Sequence, residues 1–281
     1  MQRCSFVELI DRYKVIFLDS YGVIKNHNGM IEGVVQTIEQ MRQAGTIMRI
    51  LTNDASRSRS QQVALFDQLG LHGLTIDDII TSGTLARLFI EDKNLQGKIA
   101  YLGTKNAADY ILQSGRESIS VNDVDLDNCD DIAGFVFLDD EGFDWNEDIN
   151  KTINLLRRKN IPVVVANSDK LYPVSKRDVA VGTGGIAKLV ENILNRKFIH
   201  FGKPDTQMFV YAFNQIQQHY QVEKQDILMV GDTLVTDILG GNKFGLSTAL
   251  VLTGNTSPKK ADMLISATGI IPDFICPAIT S

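Results

Sequence analysis

Cysteine is scarce. The 281 residues hold three, Cys4, Cys129 and Cys276, odd in number and far apart in sequence. That pattern fits reduced thiols in a cytosolic chain better than a disulfide framework. Histidine is equally thin: His27, His72, His200 and His219 form no close ligand pair, and with no cysteine pair at metal spacing a zinc enzyme is not expected. No apolar run reaches membrane length. The first residues, MQRCSFVELIDRYK, carry charges where a signal peptide needs an unbroken apolar stretch. The expected location is the cytoplasm, with no membrane partner. Positive charge is also in deficit: 28 Lys and Arg against 34 Asp and Glu give a net charge of −6, which opposes a nucleic-acid partner. The one dense basic stretch, Arg57 to Arg59, lies among serines and reads as a solvated helix start.

What is present is the makeup of an ordinary globular protein, 44% hydrophobic and 22% charged, long enough for one large or two modest domains. Short runs rich in Val, Ile and Leu alternate with amphipathic stretches. This is the pattern of an α/β fold with a mostly parallel, doubly wound sheet covered on both faces. Strands are expected at 15–18, 48–51, 132–138, 163–166, 227–230 and 248–252. Helices are expected from Ser56 toward Leu69, closed by Gly70, and from Thr206 toward His219, with Asp205 competing as its cap. A short helix over 236–244 should end at Gly245.

Four polar clusters follow four apolar runs: Asp19 to Gly22 after VIFL, Thr52 to Asp54 after MRIL, Gly202 to Asp205 after FIHF, and Gly231 to Asp237 after ILMV. In an open parallel sheet the strand C-termini share one edge, where ligands bind. Asp19, Asp232 and Asp237 would therefore converge, and three carboxylates repel one another unless a cation joins them. All the donors are oxygens, which favours Mg²⁺. Lys203 adds a positive charge, and Thr52 with the backbone amides around Asn53 can hydrogen-bond anionic oxygens. The set suits a phosphate group.

DSYGVI at Asp19, LTND at Leu51, GKPD at Gly202 and GDTLVTDILGG at Gly231 resemble, in order and spacing, the four motifs of the haloacid dehalogenase-like hydrolases. The long gap between Thr52 and Lys203, with NSDKLYP and GTGGIAKLVE before GKP, is similar to the class IIA members, which carry a large α/β cap. The resemblance implies a core of 1–82 and 179–281 and an inserted cap of 83–178. It implies that Asp19 is a nucleophile forming an aspartyl-phosphate, with Thr52, Asn53 and Lys203 around the phosphoryl group. Asp19, Asp232 and the backbone carbonyl of Tyr21 would hold Mg²⁺, and Asp237 would hold Lys203 or metal-bound water. Substrate selection would fall to the cap and to Asn167 and Asp169. The partner would be a small phosphorylated metabolite such as a sugar phosphate, and a homodimer also comes into view.

The sequence departs from the family at Tyr21, where its phosphatases carry an aspartate that serves as acid and base. A phenol can give a proton but is almost un-ionised at neutral pH, so it cannot activate water. Slow turnover is expected. Two alternatives stay open: a dehalogenase, whose motif resembles DAYGT, and a catalytically weak phosphate-ligand binding protein. The glycines Gly182, Gly184 and Gly185 are expected in a loop leading to a helix near Ile186, and LDDEGFDW from Leu138 on a cap loop.

Overall fold

The computed structural model describes residues 1–175 and 178–281. The fold is α/β. The larger sheet has seven strands in the order Gln2–Arg3, Phe274–Cys276, Ser247–Val251, Ile227–Gly231, Val15–Leu18, Ile47–Thr52, Ile79–Thr81. The pairs from Gln2–Arg3 through Ile47–Thr52 are parallel. After Val15–Leu18 the chain winds outward on one side to Ile47–Thr52, and it later returns on the other side at Ile227–Gly231. The strand order therefore reverses at the strand that carries Asp19. Its side chains Ile16 and Leu18 pack with Ile50, Leu228 and Val230 in one buried cluster. Each such side chain contributes about 1.5–3 kcal/mol by leaving water. Helix Val34–Gln43 buries Val34, Thr37, Ile38 and Met41, a spacing that presents one face to that core.

By contact the chain divides into two compact units: Met1–Thr52, Gln62–Ile80 and Lys203–Ser281 form the first, and Asn53–Gln61 and Thr81–Gly202 the second. The second is built on a parallel five-stranded sheet in the order Ile199–His200, Val163–Val165, Ile132–Phe137, Lys98–Leu102, Ser118–Ser120. Its core includes Leu102, Phe135, Phe137, Val163, Val165, Ala187 and Val190. Helix Glu147–Arg158 lays Ile149, Thr152, Leu155 and Leu156 inward, with acids in its first turn and arginines in its last, both favoured by the helix dipole. Thr81 caps helix Ser82–Lys93 by accepting from the Thr84 N–H at 3.0 Å. The Thr81 hydroxyl also lies 2.6 Å from the Tyr110 hydroxyl, which donates to the Arg57 carbonyl at 2.6 Å.

The structure departs from the expectations at several points. The run FIHF forms strand Ile199–His200 of the five-stranded sheet, paired with Val164 and Val165, so it is not a strand of the larger sheet. The stretch 179–202, expected with the core, belongs by contact to the second unit, because helix Thr183–Leu194 buries Ile186, Ala187 and Val190 there. That helix starts at Thr183, not near Ile186, so Gly184 and Gly185 lie in its first turn. A Cβ on Gly182, Gly184 or Gly185 would come within 2.4–2.6 Å of the carbonyls of Asp169, Ser168 or Lys170. These glycines are small because the 168–170 backbone lies against the helix start. Asp205 rather than Thr206 caps helix Thr206–Gln217, accepting from the Gln207 N–H at 2.9 Å.

Candidate active site

In the first unit Asp19 follows strand Val15–Leu18, and its N–H donates to the Val230 carbonyl at 2.9 Å. Leu18 stands opposite Val230 in the parallel register, so Asp19 and Asp232 leave adjacent strands side by side. Asp237 is brought to them by a wide π-helical turn, Leu234–Ile238. In that turn the Asp237 carboxylate accepts from the Thr233 N–H at 3.1 Å. The turn presses the side chain onto Gly231, where a Cβ would lie 2.1 Å from that of Asp237. One oxygen from each of Asp19, Asp232 and Asp237 falls within 4.8 Å of the others.

Lys203 enters this group with its ammonium 2.5 Å from Asp19 Oδ1, 2.6 Å from Asp237 Oδ1 and 2.8 Å from the Leu51 carbonyl. The Lys203–Pro204 peptide is cis. Asp232 is fixed on both sides: Oδ1 accepts from the Thr233 hydroxyl at 2.7 Å and Oδ2 from the Asn255 N–H at 2.6 Å. Its carboxylate sits against two glycines. A Cβ on Gly22 would fall 2.2 Å from Asp232 Oδ2, and one on Gly254 would fall 1.8 Å from it. Gly22 also has φ +85°, a conformation costly to any residue with a Cβ.

Three carboxylates around one ammonium leave negative charge in excess. Burial pushes the Asp19 carboxyl up to about 6; Lys203 opposes this and Asp237 adds to it. Burial, then the charges of Asp19 and Asp237, hold Asp232 well above its ordinary value. Burial works against the charge on Lys203, yet Asp19 and Asp237 together keep its pKa above the usual lysine value. Asp19 is the carboxylate that remains reachable. Its side chain is 13% exposed, against 1% for Asp232 and Asp237 and 2% for Lys203. An all-oxygen, net-negative cluster of this size fits a hard divalent cation.

Tyr21 lies two residues beyond Asp19, where its backbone bridges to Lys25 at the base of hairpin Lys25–Asn26 and Gly29–Met30. The phenol is hydrogen-bonded by the His27 backbone. Burial first, and Asp232 next, raise its pKa above the usual tyrosine value. At neutral pH it is a proton donor only. Thr52 closes strand Ile47–Thr52 and is buried.

Asn53, the next residue, belongs to the second unit. There the expected residues Asn53, Asn167 and Asp169 form one network. Asn53 Nδ2 donates to Asp169 Oδ1 at 2.9 Å, the Asp169 N–H donates to Asn167 Oδ1 at 2.9 Å, and the Ser82 hydroxyl donates to the Asn53 carbonyl at 2.8 Å.

The sequence reading passed over Thr233, Gly254 and Asn255, which hold Asp232. The signal was there: TGN follows the apolar strand Ser247–Val251 just as the other clusters follow theirs. It also left Asp139 without a role. Asp139 is buried and accepts from Thr104 at 2.9 Å, and burial carries its carboxyl up to about 6.

The haloacid dehalogenase-like hydrolase family model matches residues 16–117, and a second, HAD-hydrolase-like model matches residues 200–280. A crystal structure described as a possible sugar phosphatase of the HAD superfamily from Cytophaga hutchinsonii is 48% identical. It superposes with a TM-score of 0.95 over 100% of this chain and 99% of that one. Chronophin from Bos taurus is 27% identical over 92% of this chain and 88% of its own length. A glycerol phosphate phosphatase from Mycobacterium tuberculosis, solved with magnesium, is 22% identical with a TM-score of 0.76. That alignment covers 99% of this chain and 78% of the other, and shows a shared fold. The chain belongs to the haloacid dehalogenase-like hydrolases, in their class IIA branch of phosphatases.

Proposed function

We propose that this protein is a Mg²⁺-dependent hydrolase of small phosphomonoesters, such as a sugar phosphate, acting through an aspartyl-phosphate on Asp19. The observation that carries the reading is the buried cluster of Asp19, Asp232 and Asp237 around Lys203, in which Asp19 alone keeps an accessible carboxylate. Mg²⁺ held by Asp19, Asp232 and the Tyr21 backbone carbonyl, with Asp237 behind them, would supply positive charge to the phosphate oxygens.

Lys203 engages Oδ1 of Asp19, and the other oxygen would attack phosphorus. As that bond forms, the ester P–O bond breaks and the alcohol leaves. A proton from the Tyr21 phenol or from water meets the departing oxygen. Water then attacks the acyl phosphate, which returns Asp19 and releases phosphate. Thr52, at the end of its strand, and the amides after it would hydrogen-bond the phosphoryl oxygens. Asp237 keeps Lys203 in place through their 2.6 Å contact. With no carboxylate at position 21 to draw a proton from the water, the second step is the slower, and a missing general base costs about 10²–10⁴-fold.

The second unit is proposed to act as the cap, with Asn167 and Asp169 setting the position of Asn53. Exposed Leu171, Val179 and Val181 on the antiparallel strands Leu171–Pro173 and Val179–Val181 support a homodimer in solution, which light scattering would test. Among the described residues no helix is long and apolar enough to cross a membrane. The three cysteines are free thiols, consistent with the proposed cytoplasmic location.

The test is hydrolysis of p-nitrophenyl phosphate by the wild type, Asp19→Asn and Tyr21→Asp, with Mg²⁺ and with a chelator. Mg²⁺-dependent turnover, lost in Asp19→Asn and faster in Tyr21→Asp, is expected. Turnover that survives the chelator or Asp19→Asn would overturn the reading. Metal-independent halide release from a haloacid would put a dehalogenase in its place, and phosphate-ester binding without turnover a binding protein.

A further inference from the structure

Cys4 and Cys276 are 272 residues apart in sequence, yet their sulfurs lie 3.9 Å apart in the first unit. The fold makes them neighbours. Edge strand Gln2–Arg3 pairs in parallel with Phe274–Cys276, Arg3 opposite Ile275, and the Cys4 N–H donates to the Ile275 carbonyl at 3.2 Å. Cys4 is thus the next residue along one strand path and Cys276 the next along the other. A disulfide needs the sulfurs to close by about 2 Å, a distance that side-chain rotation covers when the backbones are already paired.

The two thiols differ in access. Cys4 is partly exposed and lines a cleft of about 330 Å³ shared with Arg3, Leu252 and Pro277. Cys276 is buried, and burial followed by the neighbouring sulfur pushes its thiol well above the ordinary range. A small oxidant therefore meets Cys4 first. Cys129, the third thiol, is buried in the second unit and donates to the Leu126 carbonyl at 3.5 Å.

We propose that Cys4 and Cys276 are an oxidation site at which a peroxide converts the facing thiols into a disulfide joining the N-terminal and C-terminal strands. The Cys4 sulfur attacks a peroxide oxygen; the O–O bond breaks, one water leaves, and Cys4 becomes a sulfenic acid. The Cys276 sulfur then attacks the Cys4 sulfur, the S–O bond breaks, and a second water carries away the remaining oxygen. Two thiols are oxidised by two electrons and one peroxide is reduced to two waters. Because the loop closed spans nearly the whole chain, the cross-link restricts the unfolded state strongly.

The experiment is titration of the full-length native protein with hydrogen peroxide, followed by thiol counting, intact mass and non-reducing peptide mapping. Two of the three thiols should be lost, a Cys4–Cys276 peptide should appear and revert with dithiothreitol, and the thermal midpoint should rise by several degrees. Cys4→Ser should leave Cys276 a free thiol at peroxide concentrations that cross-link the wild type. The proposal is overturned if Cys4 passes to sulfinic acid while Cys276 stays reduced. It is equally overturned if the cross-linked product contains Cys129, or if Cys276 is oxidised as fast in Cys4→Ser as in the wild type.

Discussion

Replacing Lys203 by methionine removes the ammonium from the carboxylate cluster while roughly keeping side-chain volume. The structure sets the cost. Nζ lies 2.5 Å from Asp19, 2.6 Å from Asp237 and 2.8 Å from the Leu51 carbonyl, and the side chain is 2% exposed. Without it and without metal, the three carboxylates have no cation among them. The cheapest escape is for one of them to keep a proton. At pH 7, forcing a proton onto a carboxyl that ordinarily loses it near 3.9 costs about 4 kcal/mol. That agrees with the roughly 3–5 kcal/mol seen when one partner of a buried ion pair is deleted. The sign of the pH dependence follows. The retained proton means a pKa raised in the folded state, so stability is intact below the unfolded pKa and falls as pH rises through the folded one. Urea unfolding of metal-free wild type and Lys203→Met at pH 5, 6, 7 and 8 should give a deficit near 4 kcal/mol at pH 7 that shrinks toward pH 5. A deficit below about 1 kcal/mol at pH 7, or one that does not change with pH, would refute the electrostatic account, because lost packing alone has no such slope.

Gly254→Ala places a Cβ 1.8 Å from Asp232 Oδ2, so the carboxylate must move; Mg²⁺ affinity measured by calorimetry should fall about 10–100-fold. Tyr110→Phe removes the donor to the Arg57 carbonyl and the partner of Thr81, and should cost about 1–3 kcal/mol in urea unfolding with the chemistry of the first unit untouched. Asp139 carries a folded-state pKa raised from 3.8 to about 6, so it withdraws stability as pH rises from near 4 to 6 and changes little above that. Asp139→Asn should flatten the stability profile over that window by about 3 kcal/mol, and an unchanged profile would show that Asp139 is not the source.

The middle of the larger sheet could be read from its residues because strands such as Val15–Leu18 and Ile227–Gly231 are short, fully buried apolar runs, and burial on both faces forces that composition; the edge strand Gln2–Arg3 is polar and exposed and gives no such sign. Asp19 and Asp232 stood out because each follows such a run directly, with Asp237 a turn beyond. The extent of the second unit was not, because strand Ile199–His200 is two residues long and joins its sheet through backbone hydrogen bonds that leave no mark on composition. Asn255 escaped because it holds Asp232 through its N–H, a group every residue but proline has. The partnership of Cys4 with Cys276 escaped because only strand order brings the two ends of the chain together.

The chain passes between its two units at 52/53, 61/62, 80/81 and 202/203, and two of these seams fall on residues of the proposed site: Thr52 is the last residue before one crossing and Lys203 the first after another. Heredity can therefore edit the second unit freely in its interior, but a single residue gained or lost at either seam would slide the buried Thr52 or the buried ammonium of Lys203 out of register. A graft from a relative that carried only one continuous block would leave 53–61 behind. For recombination, the second unit is less a detachable module than a passage bracketed by fixed words, and it can be rewritten only while the brackets hold still.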